Sequence, residues 1–128
     1  MSSQTQVARR YAEALADAAE AQSMLAQTAE ELSTFAAMLA ESRELRDVFA
    51  SPAVGAPDKS AVLEAVLERT SPTPLVANFL RVLLRNMRIQ HVDAVVEAFA
   101  GEVDRRTGVV MAEVTTARPL TDPERDVL

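Results

Sequence analysis

Between Val7 and Val103 the apolar residues recur at intervals of three and four, and only short breaks interrupt them. That spacing matches a helix, whose residues return to one face every 3.6 positions, and not a strand, whose faces alternate every two. A chain of 128 residues supports one compact domain and is too short for two well-buried ones. Only three Gly and five aromatic residues (Tyr11, Phe35, Phe49, Phe79 and Phe99) are present, while Ala, Leu and Val fill the apolar quota. This composition argues against an all-β fold and for packed helices.

The stripes and their breaks divide the chain into six helical segments. The first starts at Ser3, where Ser3 and Gln6 stand at capping-box spacing, and runs to about Ala21. The second extends from about Ser23 to Glu41 along Leu25, Ala29, Leu32, Phe35 and Leu39. A short third, capped by Ser42, carries Leu45, Val48 and Phe49 up to Ser51-Pro52, where proline disfavours helix in the residue before it. After a loop, Pro57 suits the first turn of a fourth helix that ends near Arg69. Thr73 as cap and Pro74 as first residue open the fifth, with its stripe Leu75, Val76, Phe79, Leu80, Leu83, Leu84 and Met87. Between Met87 and His91 the chain turns into a sixth stripe of Val92, Val95, Val96, Phe99 and Val103, for which Gly108 reads as a left-handed terminator.

Beyond Gly108 the pattern changes. Residues 109 to 117 are rich in β-branched side chains and read as a short strand, and Thr121 to Glu124 is a second capping box. A lone strand has no ladder partner, so the expectation is an all-α six-helix bundle (residues 1–107) followed by an orphan strand that begins a truncated C-terminal α/β domain (108–128).

The chemistry a chain like this excludes is broad. With no Cys there is no disulfide, thiol nucleophile or thiolate metal site, and one histidine, His91, cannot make a histidine-rich one. His91 reads as a surface or capping residue. The carboxylates fall on polar helix faces, and three scattered glycines build no phosphate cradle. No catalytic, cofactor or metal site is expected. The net charge of −6 disfavours general polyanion binding, the N-terminal residues do not form a secretory signal, and no apolar run is long enough to span a bilayer.

Two features remain unexplained by a bundle alone. Apolar positions on the first helix sweep roughly 160° of the wheel, with Val7, Tyr11, Ala14 and Ala18 on one flank. On the fifth, Val82 lies roughly 100° from the core stripe, beside Asn78 and Asn86. Two readings stand: neighbouring helices cover these flanks, or they form a trough for an amphipathic partner helix. The second feature is charge. Arg81, Arg85 and Arg88 make a basic row on the fifth helix, and Glu13, Asp17 and Glu20 an acidic row on the first. As neighbours, these helices would set the rows on either side of a common groove, orienting a charged ligand.

Four segments occur in an order that resembles a known family: Val7-Ala-Arg-Arg-Tyr-Ala-Glu-Ala-Leu15; Leu45-Arg-Asp-Val-Phe-Ala-Ser-Pro52 with Pro57-Asp-Lys-Ser-Ala-Val-Leu63; Asn78-Phe-Leu-Arg-Val-Leu-Leu-Arg-Asn86; and Ala112-Glu-Val-Thr-Thr-Ala-Arg-Pro-Leu120. Together they resemble the delta subunit of bacterial ATP synthase, the counterpart of the mitochondrial oligomycin-sensitivity-conferring protein. The resemblance implies a non-catalytic stator subunit whose six-helix domain binds the N-terminal segment of an alpha subunit between the first and fifth helices. A C-terminal domain would engage the b subunits of the peripheral stalk. It also implies a peripheral position on the cytoplasmic face of the bacterial membrane, without insertion. Tyr11, Ala14 and Val82 carry over as binding residues by motif position, while Val7, Ala18, Asn78 and Asn86 follow from sharing their faces. One departure is plain: where the family commonly has Gly after the Asn that ends the fifth helix, this chain has Met87. The alternative reading is a helical nucleic-acid-binding regulator using the Arg81, Arg85 and Arg88 row, for which three arginines on an acidic chain make a poor footprint.

Overall fold

A computed structural model describes the backbone of residues 3–117 and the side chains of residues 5–108. Within these limits the chain forms α1 (Ser3–Ala21), α2 (Leu25–Glu41), α3 (Arg43–Ala50), α4 (Ala56–Thr70), α5 (Pro74–Arg85) and α6 (Val92–Ala117), with a 3₁₀ turn over Ile89–His91 before α6. The Ser3 side chain of the expected first cap lies outside the described residues. Ser42 opens α3 as its sequence position requires, its Oγ accepting the Leu45 N–H at 3.2 Å. Pro57 and Pro74 sit in the first turns of α4 and α5, where a missing N–H costs nothing.

Helix ends follow a less familiar chemistry. α5 closes in a Schellman motif: the Arg88 N–H donates to the Leu83 carbonyl at 2.7 Å and the Met87 N–H to the Leu84 carbonyl at 3.0 Å. The residue in the left-handed conformation is Met87, at φ 60°. α1 ends the same way around Ser23 at φ 58°, with the Met24 N–H on the Ala19 carbonyl at 2.7 Å, and Ser71 closes α4 at φ 48°. Glycine does none of this work, although it is the residue that best tolerates the geometry.

Two expectations change. Thr73 is at the N-cap of α5 but makes no side-chain cap bond, because its hydroxyl donates instead to a Glu31 carboxylate oxygen at 2.9 Å. Gly108 does not end α6, and its φ is not positive. The backbone of α6 is described as far as Ala117, and the expected orphan strand and the unit of residues 108–128 fall almost wholly outside the residues whose side chains are described.

The core forms among the six helices, with α6 packed chiefly against α1 and α2. Ala8, Ala12, Ala16 and Ala19 are buried on α1 together with Leu15, and side chains this small let α1 lie close along α6. Phe99 and Val95 of α6, Leu32 and Phe35 of α2, Phe49 of α3, Leu63 of α4, and Leu80 and Leu83 of α5 complete it. Near its start α6 faces Val7 and Tyr11 across a shallow depression that Val95 and the preceding His91 line with them, and further along Arg106 reaches Asp17 and Glu20. The two helices therefore run parallel. Arg106 fastens them, donating to Asp17 Oδ1 at 2.9 Å, to Glu20 Oε1 at 2.6 Å and to the buried Glu102 at 3.1 Å.

Candidate partner-binding site

Tyr11 is the centre of the α1–α5 junction. Its ring meets Phe79 edge to face, with centroids 6.3 Å apart and planes at 75°. Its Oη accepts a hydrogen bond from Asn86 Nδ2 at 2.8 Å. The position of Asn86 is fixed by the Schellman turn that ends α5, so the turn that carries Met87 also aims the amide at α1. Tyr11 remains half-buried, as do Val7 and Ala18 beside it on α1. Ala14 is exposed. On α5, Val82 and Phe79 are half-buried, while Asn78 and Asn86 are exposed.

The seven residues singled out from the sequence thus lie on two adjoining helix faces, and Tyr11 and Asn86 are in direct contact. Between α1 and the start of α6 a shallow depression, lined by Val7, Tyr11, Arg88, His91 and Val95, extends that face past Tyr11. Part of the broad apolar arc of α1 is covered from within, by Phe79, and part is left open. The arrangement offers an apolar strip with amide groups at its edge, a surface on which the apolar side of a helix can lie.

The charged rows do not flank this strip as a pair. Arg81 turns to α4, where it forms a bidentate bridge with Glu64 at 2.7 and 3.0 Å. The guanidinium hydrogen bond holds the Glu64 carboxyl below its ordinary range, and Glu64 raises Arg81 in return. Arg81 also donates to Asn78 Oδ1 at 2.8 Å, which fixes that amide at the edge of the strip. Asp17 and Glu20 turn to Arg106, whose pKa they push further up. Carboxylates on the neighbouring helices α4 and α1 compete for these arginines, an effect that wheel positions on one helix do not contain.

Sequence reasoning missed the role of Phe79, assigned to the core stripe, and of Arg106, which stands outside every motif. The edge-to-face contact depends on the register between helices far apart in sequence. Among the described residues no group of three or more His, Asp or Glu side chains is placed to hold a metal ion.

Comparison with known proteins decides the kinship. The family model described as ATP synthase delta (OSCP) subunit matches residues 7–128. This chain belongs to the ATP synthase delta (OSCP) family. Among curated relatives, the ATP synthase subunit delta of Rhodospirillum centenum is 35% identical over 122 residues, covering 95% of this chain and 66% of the relative. That of Acidobacterium capsulatum is 36% identical over 122 residues, covering 94% of this chain and 68% of the relative. The Rhodospirillum rubrum protein is 37% identical over 124 residues, covering 97% and 67%. The chain therefore spans about two thirds of the length of these delta subunits.

Proposed function

We propose that this delta-family chain is the head-facing part of a non-catalytic stator subunit in a proton-translocating ATP synthase. In this reading the strip between α1 and α5 holds the N-terminal segment of an alpha subunit, and a second unit that begins at residue 108 engages the b subunits of the peripheral stalk. The subunit sits peripherally on the cytoplasmic face of the bacterial membrane. None of the described helices is long and apolar enough to cross a membrane.

One observation supports the site above the others. The Tyr11 ring is oriented by Phe79 and Asn86 yet still reaches the surface beside exposed Ala14 and half-buried Val82. A connector that resists torque needs slow dissociation, and buried apolar anchors supply that better than exposed ion pairs, each worth roughly 0–1 kcal/mol. Calorimetric titration with a peptide copying the start of the cognate alpha subunit tests the reading. Tyr11→Ala is expected to weaken binding at least tenfold, about 1.4 kcal/mol, with helicity unchanged and little response to salt. Unchanged affinity in that variant overturns the site. A steep loss of wild-type binding with rising salt would favour the arginine row instead.

A further inference from the structure

A second surface lies on the opposite flank of α5. Arg81 and Phe79 are two residues apart, roughly 200° around the helix, so the side of α5 that faces away from Tyr11 carries Arg81, Leu84 and Arg85. With the α3–α4 loop and α4 it encloses an open recess of about 710 Å³. Phe49, Leu63 and Ile89, all buried, form its apolar floor. Val54 and Met87 stand at its margin, and Met87 is 77% exposed, the one large apolar side chain so exposed among the described residues. A neighbouring recess of about 550 Å³ shares Phe49, Ala50 and Gln90 with the first, so the apolar surface is an elongated track whose far part is lined by one further charge of each sign, Arg46 and Asp93.

The rim is basic on a chain whose net charge is −6. Lys59, the chain's only lysine, lines the recess with Arg81 and Arg85, against a single carboxylate, Glu64. Glu64 is engaged by Arg81, and Lys59 and Arg85 have no ion-pair partner among the described residues. An elongated apolar track edged by cations of which two are uncompensated selects an occupant that is apolar on one side and anionic on the other. We propose that this recess docks an acidic amphipathic helical segment of a partner protein, at a site separate from the α1–α5 strip. The length of the track favours a peptide over a compact amphiphile, which fills a single cavity.

The test is a heteronuclear NMR titration of this chain with a synthetic helix of about 14 Leu, Ala and Glu residues, the apolar ones at three- and four-residue spacing. A second probe carries Lys at every Glu position. The acidic probe is expected to shift the amides of Val54, Leu84, Met87 and Gln90, and the basic probe to leave them in place. Lys59→Glu with Arg85→Glu should weaken the acidic probe roughly tenfold, while Tyr11→Ala leaves its affinity unchanged. Raised salt on the unaltered chain gives the same readout should the double variant fail to fold. Equal binding of both probes, or shifts centred on Tyr11 and Val82, overturns the proposal. Decanoate that shifts these amides where the peptide does not overturns it in favour of a small amphiphile. The α1–α5 reading fails separately, through its own peptide and Tyr11→Ala.

Discussion

Tyr11 and Asn86, 75 residues apart in the chain, are joined by a 2.8 Å hydrogen bond from the amide to the phenol oxygen. The bond ties the end of α5 to the middle of α1 while leaving the ring face partly open. Tyr11→Phe keeps the contact with Phe79 and loses only this exposed bond. It should lower stability by about 0.5–1 kcal/mol in urea unfolding and shift the Asn86 side-chain amide resonances, with the Phe79 ring signals little changed.

Met87 occupies the left-handed position of the α5 turn, where a side chain beyond glycine strains the backbone. It is largely exposed, so removing it sacrifices little packing in the monomer. Met87→Gly is expected to stabilise the chain by about 0.5–1 kcal/mol, raising Tm by several degrees. The same change should weaken the acidic probe at the α3–α5 recess, so stability and docking move in opposite directions.

Glu31 serves α5 from α2. One carboxylate oxygen accepts both the Thr73 N–H at 3.0 Å and the Thr73 hydroxyl at 2.9 Å. Glu31→Ala leaves a part-buried backbone donor unpaired at the start of α5 and should cost about 1–2 kcal/mol. Hydrogen exchange provides the local check: faster exchange at Thr73 and the first turn of α5, with α6 unaffected in partly protected native conditions.

Glu102 is buried, and hydrogen bonds from Arg105 and then Arg106 hold its carboxyl below the ordinary 4.5, against burial, which raises it. A carboxyl whose pKa is lower in the folded chain adds stability above its unfolded value and loses it as pH falls through the folded one. Wild-type stability should therefore decline as the medium is acidified below the ordinary carboxylate range. In Arg105→Ala with Arg106→Met, burial alone remains to act on Glu102 and reverses the sign of its contribution. The variant is expected to be less stable at neutral pH and to lose less on acidification, read from thermal unfolding at stepped pH.

Where a feature is written in neighbouring residues, the sequence was a sound guide. The apolar stripes delimit α1 through α5 to within a few residues, and Ser42 and Pro74 mark the helix starts they were expected to mark. The ends were harder to read, because Ser23, Ser71 and Met87 adopt the left-handed conformation that glycine would have announced. For the candidate site, the apolar flanks of α1 and α5 were visible from spacing, and the Tyr11–Asn86 bond was not. Arg106 bridges to residues 86 and 89 positions away, so neither its partners nor the fate of the acidic row could be found by local inspection.

The parallel course of α1 and α6 has a mechanical corollary. α6 is about 39 Å long, and its far end points away from the end at which α1 begins. Tension that draws the start of α1 against the far end of α6 slides one rod along the other. Alanine contacts and the Arg106 fastening then bear the load together instead of tearing one after another, as they would if the helices were peeled apart. Resistance to such a pull is set by an unfolding rate more than by equilibrium stability, so the snug alanine seam governs how long the molecule lasts under strain.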